Sequence, residues 1–187
     1  MKKLLCTVLA LSMLLGLAAC GTANPAPSGS PAVPPTENSA AQTVAFTDSV
    51  GREGEVPAEI TKVAVSGPMA QMVLFALCPD ALVGIANEWD PSAEEYLDTE
   101  YYNLPLLGQL YGGKGELNLE TLLASGAQVV IDVGEPKDSI VEDLAARQEQ
   151  CGIPFVHISA TIETMGDAYR LLGKLLNRPD EAEQLAR

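Results

Sequence analysis

Four short apolar runs, separated by stretches with helical spacing, constrain the fold of this 187-residue chain more than any other feature. Each run is apolar through most of its length, which is typical of strands buried on both faces of a sheet. Strands that alternate with helices predict a parallel sheet with right-handed crossover connections. The sequence therefore predicts an α/β fold in which a short parallel sheet is flanked by helices. The predicted strands are Lys62–Ser66, Leu82–Ala86, Val129–Val133 and Pro154–Ile158.

The segments around these runs predict the remaining elements. Residues 43–57 alternate in places and contain a glycine-rich turn, which indicates a hairpin. Three helices are predicted between the strands, and a fourth, with apolar residues from Met165 to Leu176, follows the last strand. Asn177 to Pro179 should break that helix, and Pro179 should begin another one. The three helices between strands are predicted at Met69–Leu77, Leu119–Ala124 and Ser139–Gln150.

The first 42 residues predict export and anchoring rather than part of the fold. Lys2 and Lys3 precede an apolar stretch that is shorter than the about 20 residues needed to span a bilayer, so residues 1–19 are typical of a secretory signal. The sequence Leu17–Gly21 resembles a bacterial lipobox, which predicts lipidation of Cys20; the alternative is an ordinary signal with an incidental cysteine. Residues 20–42 are rich in Pro, Ser and Ala, which predicts a disordered tether.

Charge and composition exclude several classes of function. The chain has 25 Asp and Glu against 11 Lys and Arg, a net charge of −14, which disfavours nucleic-acid binding. A single histidine disfavours a multi-histidine metal site, and we expect no bound metal and no resident cofactor. The sequence has no phosphate-binding loop, nucleophile elbow or dinucleotide fingerprint, so we expect no enzyme. Cys78 and Cys151 could form a disulfide, although two small buried side chains are the favoured interpretation.

Ligands of open parallel sheets bind beyond the carboxyl ends of the strands, and this rule points to the loops that hold Ser66, Met69 and Trp89, while the glycine-rich loop 108–115 adds Tyr111 and Lys114. Trp89, the only tryptophan, could stack on a flat ligand or could pack within the protein. Tyr111 and Lys114 could contact a carboxylate or catecholate, or could belong to an ordinary surface loop. His157 lies within the last strand and is expected to be a core residue. The candidate ligand-binding residues are Ser66, Met69, Trp89, Tyr111 and Lys114.

Several segments, taken in order, resemble the substrate-binding lipoproteins of ABC importers for iron-siderophores, haem and cobalamin. The resemblance covers residues 43–187 and departs from the usual pattern at Cys78, where glycine is common, and at 125–128. It implies a flavodoxin-like three-layer lobe over 43–176, followed at 177–187 by the start of the helix that joins two lobes. We therefore expect an N-terminal lobe without its second lobe, and weak ligand binding. The segments that carry the resemblance are 46–52, 60–65, 74–85, 118–131, 152–154, 161–165 and 171–176.

This resemblance implies a function at the extracytoplasmic face of a bacterial membrane. A lipid-anchored receptor of this family captures an iron-siderophore, haem or cobalamin and delivers it to the permease and ATPase subunits of an ABC transporter. It also implies that Glu120 docks on the permease, whereas the alternative is an ordinary solvated acid on a helix face. A second interpretation of the whole chain is a stand-alone interaction module that docks a permease or an envelope protein without transport.

Overall fold

A three-stranded parallel sheet organises the chain, for which the computed structural model describes residues 42–111 and 116–187. Its strands are β3 (Val63–Val65), β4 (Val129–Gly134) and β5 (Phe155–Ser159), in the order β3-β4-β5. Val63 pairs with Val129, and Val130 pairs with Phe155. These three strands lie where the sequence predicts the first, third and fourth strands, so the predicted α/β fold with a short parallel sheet is confirmed.

The prediction of a regular strand at Leu82–Ala86 is wrong, because this segment makes only isolated bridges. Leu82 bridges in parallel to Val63, and Ile85 bridges in parallel to Leu106 on its other side. A Cβ on Gly84 would lie closer than 3.0 Å to the side chain of Leu107, so the two segments approach closely at this glycine. With the two bridged segments counted, the neighbouring residues across the sheet are, in order, Leu106, Ile85, Val63, Val129 and Phe155. The direction in which successive strands are added therefore reverses between β3 and β4.

Helices lie on both faces of this sheet, close to their predicted positions. α1 and α4 start within one residue of the predicted helices, and α5 ends just before the predicted break at Asn177. None of the helices in the described ranges is long and apolar enough to span a bilayer. The helices are α1 (Pro68–Leu77), α2 (Thr99–Tyr102), α3 (Leu119–Ser125), α4 (Ile140–Cys151), α5 (Met165–Leu175) and α6 (Pro179–Leu185), with short 3-10 turns at Pro79–Ala81 and Pro91–Glu95.

The strands bury side chains on both faces and so build two cores. Successive strand residues point to opposite faces, and Val129 and Ile131 accordingly join the first core while Val130 joins the second. The first core contains buried residues of α1, α5 and α6, and the second contains Leu122 of α3 and Leu144 of α4. This arrangement gives the helix–sheet–helix layering that the sequence predicts.

Cys78 and Cys151, the two cysteines in the described ranges, are free thiols that belong to different cores. Cys78 is fully buried in the first core, whereas Cys151 packs against the second at the end of α4. The Cys151 thiol donates to the carbonyl oxygen of Arg147 at 3.2 Å. Because the sheet separates the two cores, these side chains do not form a disulfide and Cys78 is the small buried residue that the sequence favours.

The predicted hairpin is formed by β1 (Thr43–Thr47) and β2 (Glu53–Pro57), which pair antiparallel. Within its turn, Asp48 accepts hydrogen bonds from the backbone N–H groups of Val50 and Arg52. The turn also docks on β5, because Asp48 accepts a hydrogen bond from the backbone N–H of His157 at 3.3 Å. The Arg52 guanidinium donates to the carbonyl oxygen of Phe155 at 2.8 Å. The predicted signal peptide, Cys20 and most of the predicted tether lie outside the described residues.

Candidate functional site

The candidate site lies at the carboxyl edge of the sheet, where the winding reverses between β3 and β4. Open α/β sheets bind ligands at this position, because the loops that leave the two neighbouring strands diverge and leave a crevice. Ser66 directly follows β3 and is 1% exposed, while Asp132 lies near the end of β4. The Ser66 hydroxyl donates a hydrogen bond to Asp132 Oδ1, and this contact joins the two strands at the floor of the crevice.

His157 extends this contact to the third strand. Its Nδ1 lies 2.7 Å from Asp132 Oδ2, so the carboxylate bridges the serine and the imidazole. The histidine is 1% exposed, and its Nε2 has no hydrogen-bond partner within the described part of the chain. His157 is therefore a buried residue, as the sequence predicts. In this arrangement Ser66 donates to the carboxylate and not to the imidazole, which is unlike the order of groups that activates a serine nucleophile.

A cavity of about 210 Å³ opens above Asp132 and is bounded by the loops after β3 and β4. We call it the inner cavity. Three of the predicted ligand-binding residues, Ser66, Met69 and Tyr111, line it together. Asp132, Glu135 and Lys137 also line it, and sequence reasoning did not select them. The signal for Asp132 was present, because one carboxylate inside an otherwise apolar strand needs a hydrogen-bonded partner.

Tyr111 is held in place by residues of the β4–α4 region. Its hydroxyl donates to Asp143 Oδ2 at 2.8 Å, and the Ser139 hydroxyl donates to the same oxygen at 2.8 Å. The Lys137 Nζ lies 3.7 Å from the centre of the tyrosine ring, within the range of a cation–π contact. Burial, followed by the hydrogen bond to Asp143, raises the pKa of Tyr111. The hydroxyls of Ser139 and Tyr111 lower the pKa of Asp143.

A second cavity, of about 560 Å³, lies beside the inner cavity and shares Met69, Gly134 and Glu135 with it. We call it the outer cavity. Its other lining residues come from the loop after β5 and the start of α5, including Ile162, which is 99% exposed, and Met165. Its volume falls within the range of small-molecule sites, which are concave and mostly apolar with a few polar groups.

The remaining predicted site residues lie elsewhere. Trp89 packs edge-on against Phe75 with ring centres 5.1 Å apart, and its indole N–H donates to the carbonyl oxygen of Tyr101 at 3.1 Å. It lines neither the inner nor the outer cavity, so its predicted role in ligand binding is not supported by proximity to them. Lys114 lies outside the described residues. Glu120 is exposed in the first turn of α3, which is capped by the Asn118 side chain.

A network of amides supports the neighbouring loop, and sequence reasoning missed it. The Gln71 side chain is 4% exposed, and its oxygen accepts hydrogen bonds from the backbone N–H groups of Ala86 and Asn87 at 2.8 and 3.0 Å. The Gln109 amide in turn donates to the Asn87 side-chain oxygen. These contacts fix the loop after Ala86 to α1. Gln71 gave a usable signal, because a glutamine on the apolar helix α1 must satisfy its amide when it is buried.

Ionisable side chains do not form a recognisable metal site in the described ranges. Within residues 42–111 and 116–187, His, Cys, Asp and Glu do not gather in groups of three or more that could hold a metal ion.

At the opposite, amino edge of the sheet a cavity of about 730 Å³ contains Asp80 and Arg178. These two side chains are paired with each other, and the hydrogen bond from Arg178 lowers the pKa of Asp80.

Comparison with solved structures shows which fold this arrangement belongs to. An ABC transporter solute-binding protein from Sulfurospirillum deleyianum superposes with a TM-score of 0.66 at 22% identity, over 76% of this chain and 45% of that one. The molybdate-binding protein MolA of Haemophilus influenzae gives 0.58 at 17% identity, over 76% and 49%. The haem-binding protein HmuT gives 0.50 at 22% identity, over 82% and 47%. No protein-family model matches the chain, and no curated protein matches it.

These likenesses define the class of the fold. The chain has the fold of a lobe of the ABC-transporter solute-binding proteins, and it spans about half the length of the solved structures it matches. This agrees with the family resemblance and with the flavodoxin-like lobe that the resemblance implies.

Proposed function

We propose that this chain captures a metal chelate for an ABC importer and presents it to a membrane permease. The observation that carries the proposal is the pair of adjoining cavities at the carboxyl edge of the sheet, where three predicted ligand residues meet. The fold supports the same function, since solved structures with this fold include proteins described as binding haem or molybdate. An iron-siderophore, haem or cobalamin is the ligand class that the family resemblance implies.

The chemistry of the site favours binding over catalysis. The Ser66 hydroxyl is buried and donates to Asp132, and Tyr111 donates to Asp143, so both hydroxyl protons are engaged with carboxylates. Burial also raises the pKa of Tyr111, which disfavours its use as a base near neutral pH. These two hydroxyl groups are therefore held in fixed contacts, as suits a receptor.

The binding proposal is tested by titrating the chain with haemin, cyanocobalamin and a ferric hydroxamate. We expect saturable but weak binding of at least one of them, with a dissociation constant above about 1 µM, since the crevice is open. Met69→Ala should weaken that binding because Met69 borders both cavities. Leu185→Ala is the matched control, since Leu185 is an exposed apolar residue of α6 that lines neither cavity. Absence of saturable binding, or equal effects of the two changes, would contradict the proposal.

We infer a membrane-anchored location from residues that lie outside the described ranges. The lipobox-like Leu17–Gly21 supports lipidation of Cys20, and two or more acyl chains anchor a protein stably. Metabolic labelling with a fatty-acid analogue should mark the chain, and Cys20→Ser should abolish the label. Cys78→Ser is the matched control because this thiol is buried in the first core. Labelling that survives the change at Cys20 would refute lipidation there.

We propose that Glu120 contacts the permease. Its exposed position in the first turn of α3 supports this proposal, because an exposed carboxylate can meet a cationic side chain of a partner. Glu120→Arg should slow association with the permease in a kinetic binding assay, and the effect should weaken at high salt. Glu142→Arg, at another exposed position in a first helical turn, is the control. Permease binding without any ligand binding would favour the stand-alone interaction module.

A further inference from the structure

The loops at the carboxyl edge of the sheet carry a strong excess of negative charge. Among the described residues, those in the second half of β4, in the loops after β4 and β5, and just after the bridge-forming segment Leu82–Ala86 supply six carboxylates and one ammonium, that of Lys137. Charges of one sign around a crevice focus the electrostatic field and raise the local concentration of ligands of the opposite sign. The carboxylates belong to Glu88, Asp90, Asp132, Glu135, Asp138 and Glu163.

Two of these carboxylates border the outer cavity, whose remaining surface is mostly apolar. Glu135 and Glu163 line it together with the thioethers of Met69 and Met165 and the side chain of Ile162. Both glutamates are exposed, and neither makes a side-chain hydrogen bond or ion pair among the described residues. Methionine is flexible and polarizable and adapts to irregular apolar surfaces. The outer cavity thus combines an apolar surface with two carboxylates that are available to a ligand.

The inner cavity contains the one ammonium group of this edge among the described residues, that of Lys137. The ammonium of Lys137 lies on the face of the Tyr111 ring, at 3.7 Å from its centre. The Tyr111 hydroxyl points to Asp143, so the ring has an anionic partner at its polar end and a cation on its face. The ring quadrupole and the Asp143 carboxylate therefore already have the Lys137 ammonium as their cation, and the carboxylates left for a ligand are those that border the outer cavity. Glu135 borders both this cavity and the outer one.

We infer that the ligand of this site carries net positive charge on an apolar body, as a cationic metal chelate or a flat organic cation does. The inference rests on the proposed function and specifies its ligand class. An anionic chelate or oxyanion would meet Glu135 and Glu163 without a compensating cation other than Lys137, within the described residues. A cationic ligand is attracted electrostatically by both carboxylates, while its apolar body covers Met69 and Met165.

A matched pair of porphyrins tests the sign of the charge. One carries four N-methylpyridinium groups and the other four sulfonatophenyl groups, so size and shape are similar and the charge is opposite. Absorbance titration of the chain should give at least about tenfold tighter binding of the cationic porphyrin at low salt, with a ratio that falls as salt increases. Tighter binding of the anionic porphyrin would overturn the inference and leave the proposed binding function standing. Binding of neither porphyrin would count against both.

Site-directed changes separate this site from general attraction to an acidic protein. The double variant Glu135→Gln with Glu163→Gln should weaken binding of the cationic porphyrin by about tenfold. The matched control is Glu59→Gln with Glu181→Gln, which removes the same charge from the cavity at the amino edge. Lys137→Gln should strengthen binding of the cationic porphyrin, because it removes the competing ammonium. Equal effects of the two double variants, or weaker binding in Lys137→Gln, would contradict the inference.

Discussion

Ser66 donates its hydroxyl hydrogen bond to Asp132, and this contact joins β3 to β4 at the point where the winding of the sheet reverses. The same carboxylate meets His157 at 2.7 Å, so three neighbouring strands are linked by side chains at their carboxyl ends. The Asp132 side chain is 13% exposed, and the other two residues are each 1% exposed. The floor of the proposed ligand crevice is therefore a hydrogen-bonded network rather than an apolar core.

Asp132→Ala should destabilise the fold strongly. The change leaves the Ser66 hydroxyl and the His157 Nδ1 buried without their partner, which is expected to cost about 2–4 kcal/mol of unfolding free energy. Urea denaturation followed by Trp89 fluorescence measures this loss. Asp138→Ala is the matched control, because Asp138 is exposed on the loop before α4 and should change stability by less than about 0.5 kcal/mol. Equal denaturation midpoints for the two variants would contradict the structural role of Asp132.

Asp143 should titrate differently when its hydroxyl donors are removed. The Ser139 hydroxyl is the larger cause of its lowered pKa and the Tyr111 hydroxyl is the next. Because the pKa is lower in the folded chain, this carboxylate stabilises the fold above pH about 4 and loses that contribution as the pH falls through the lowered pKa. Ser139→Ala and Tyr111→Phe should each raise the Asp143 pKa, the first by more. Carboxyl NMR titration checks this, and an unchanged pKa in both variants would refute it.

How far the fold could be predicted depends on which residues set each element. The apolar runs in β3, β4 and β5 and the spacing of Leu144 in α4 are local signals, and the structure follows them. The segment Leu82–Ala86 is mostly apolar like these strands, yet it forms only single bridges. One of its two bridge partners, Leu106, follows more than 20 residues later in the chain, and no local sequence pattern predicts that contact.

The candidate site was predictable in position but only partly in composition. The rule for open α/β sheets points to the loop of Ser66 and Met69, the glycine-rich loop adds Tyr111, and all three line one cavity. The rule selects loops after strands, so it also selected Trp89, whose ring instead meets Phe75. Asp132 was not selected as a site residue, because its partners Ser66 and His157 lie 66 and 25 residues away in the sequence. Tertiary contacts of this kind are visible only once the strand order is known.

The two cysteines of the described domain should react at very different rates. Burial raises the pKa of the Cys78 thiol to about 12, so almost none of it is thiolate at pH 8. Cys151 is partly exposed at the end of α4. Iodoacetamide at pH 8, followed by peptide mass spectrometry, should therefore alkylate Cys151 well before Cys78. Both should react at similar rates in concentrated urea, which is the control. Faster labelling of Cys78 in the folded chain would contradict its burial.

Gly108 should tolerate alanine much less well than Gly51, although both have positive φ, +84° and +79° respectively. A Cβ on Gly51 would meet no atom within 4 Å, so Gly51→Ala should cost about 1 kcal/mol for the backbone conformation alone. A Cβ on Gly108 would lie closer than 3.0 Å to the backbone carbonyl group of Glu116, which a side-chain rotation cannot relieve. Gly108→Ala should therefore cost about 3 kcal/mol or more, because backbone must shift as well. Urea denaturation of the two variants measures the difference, and equal losses would show that Glu116 does not pack against Gly108.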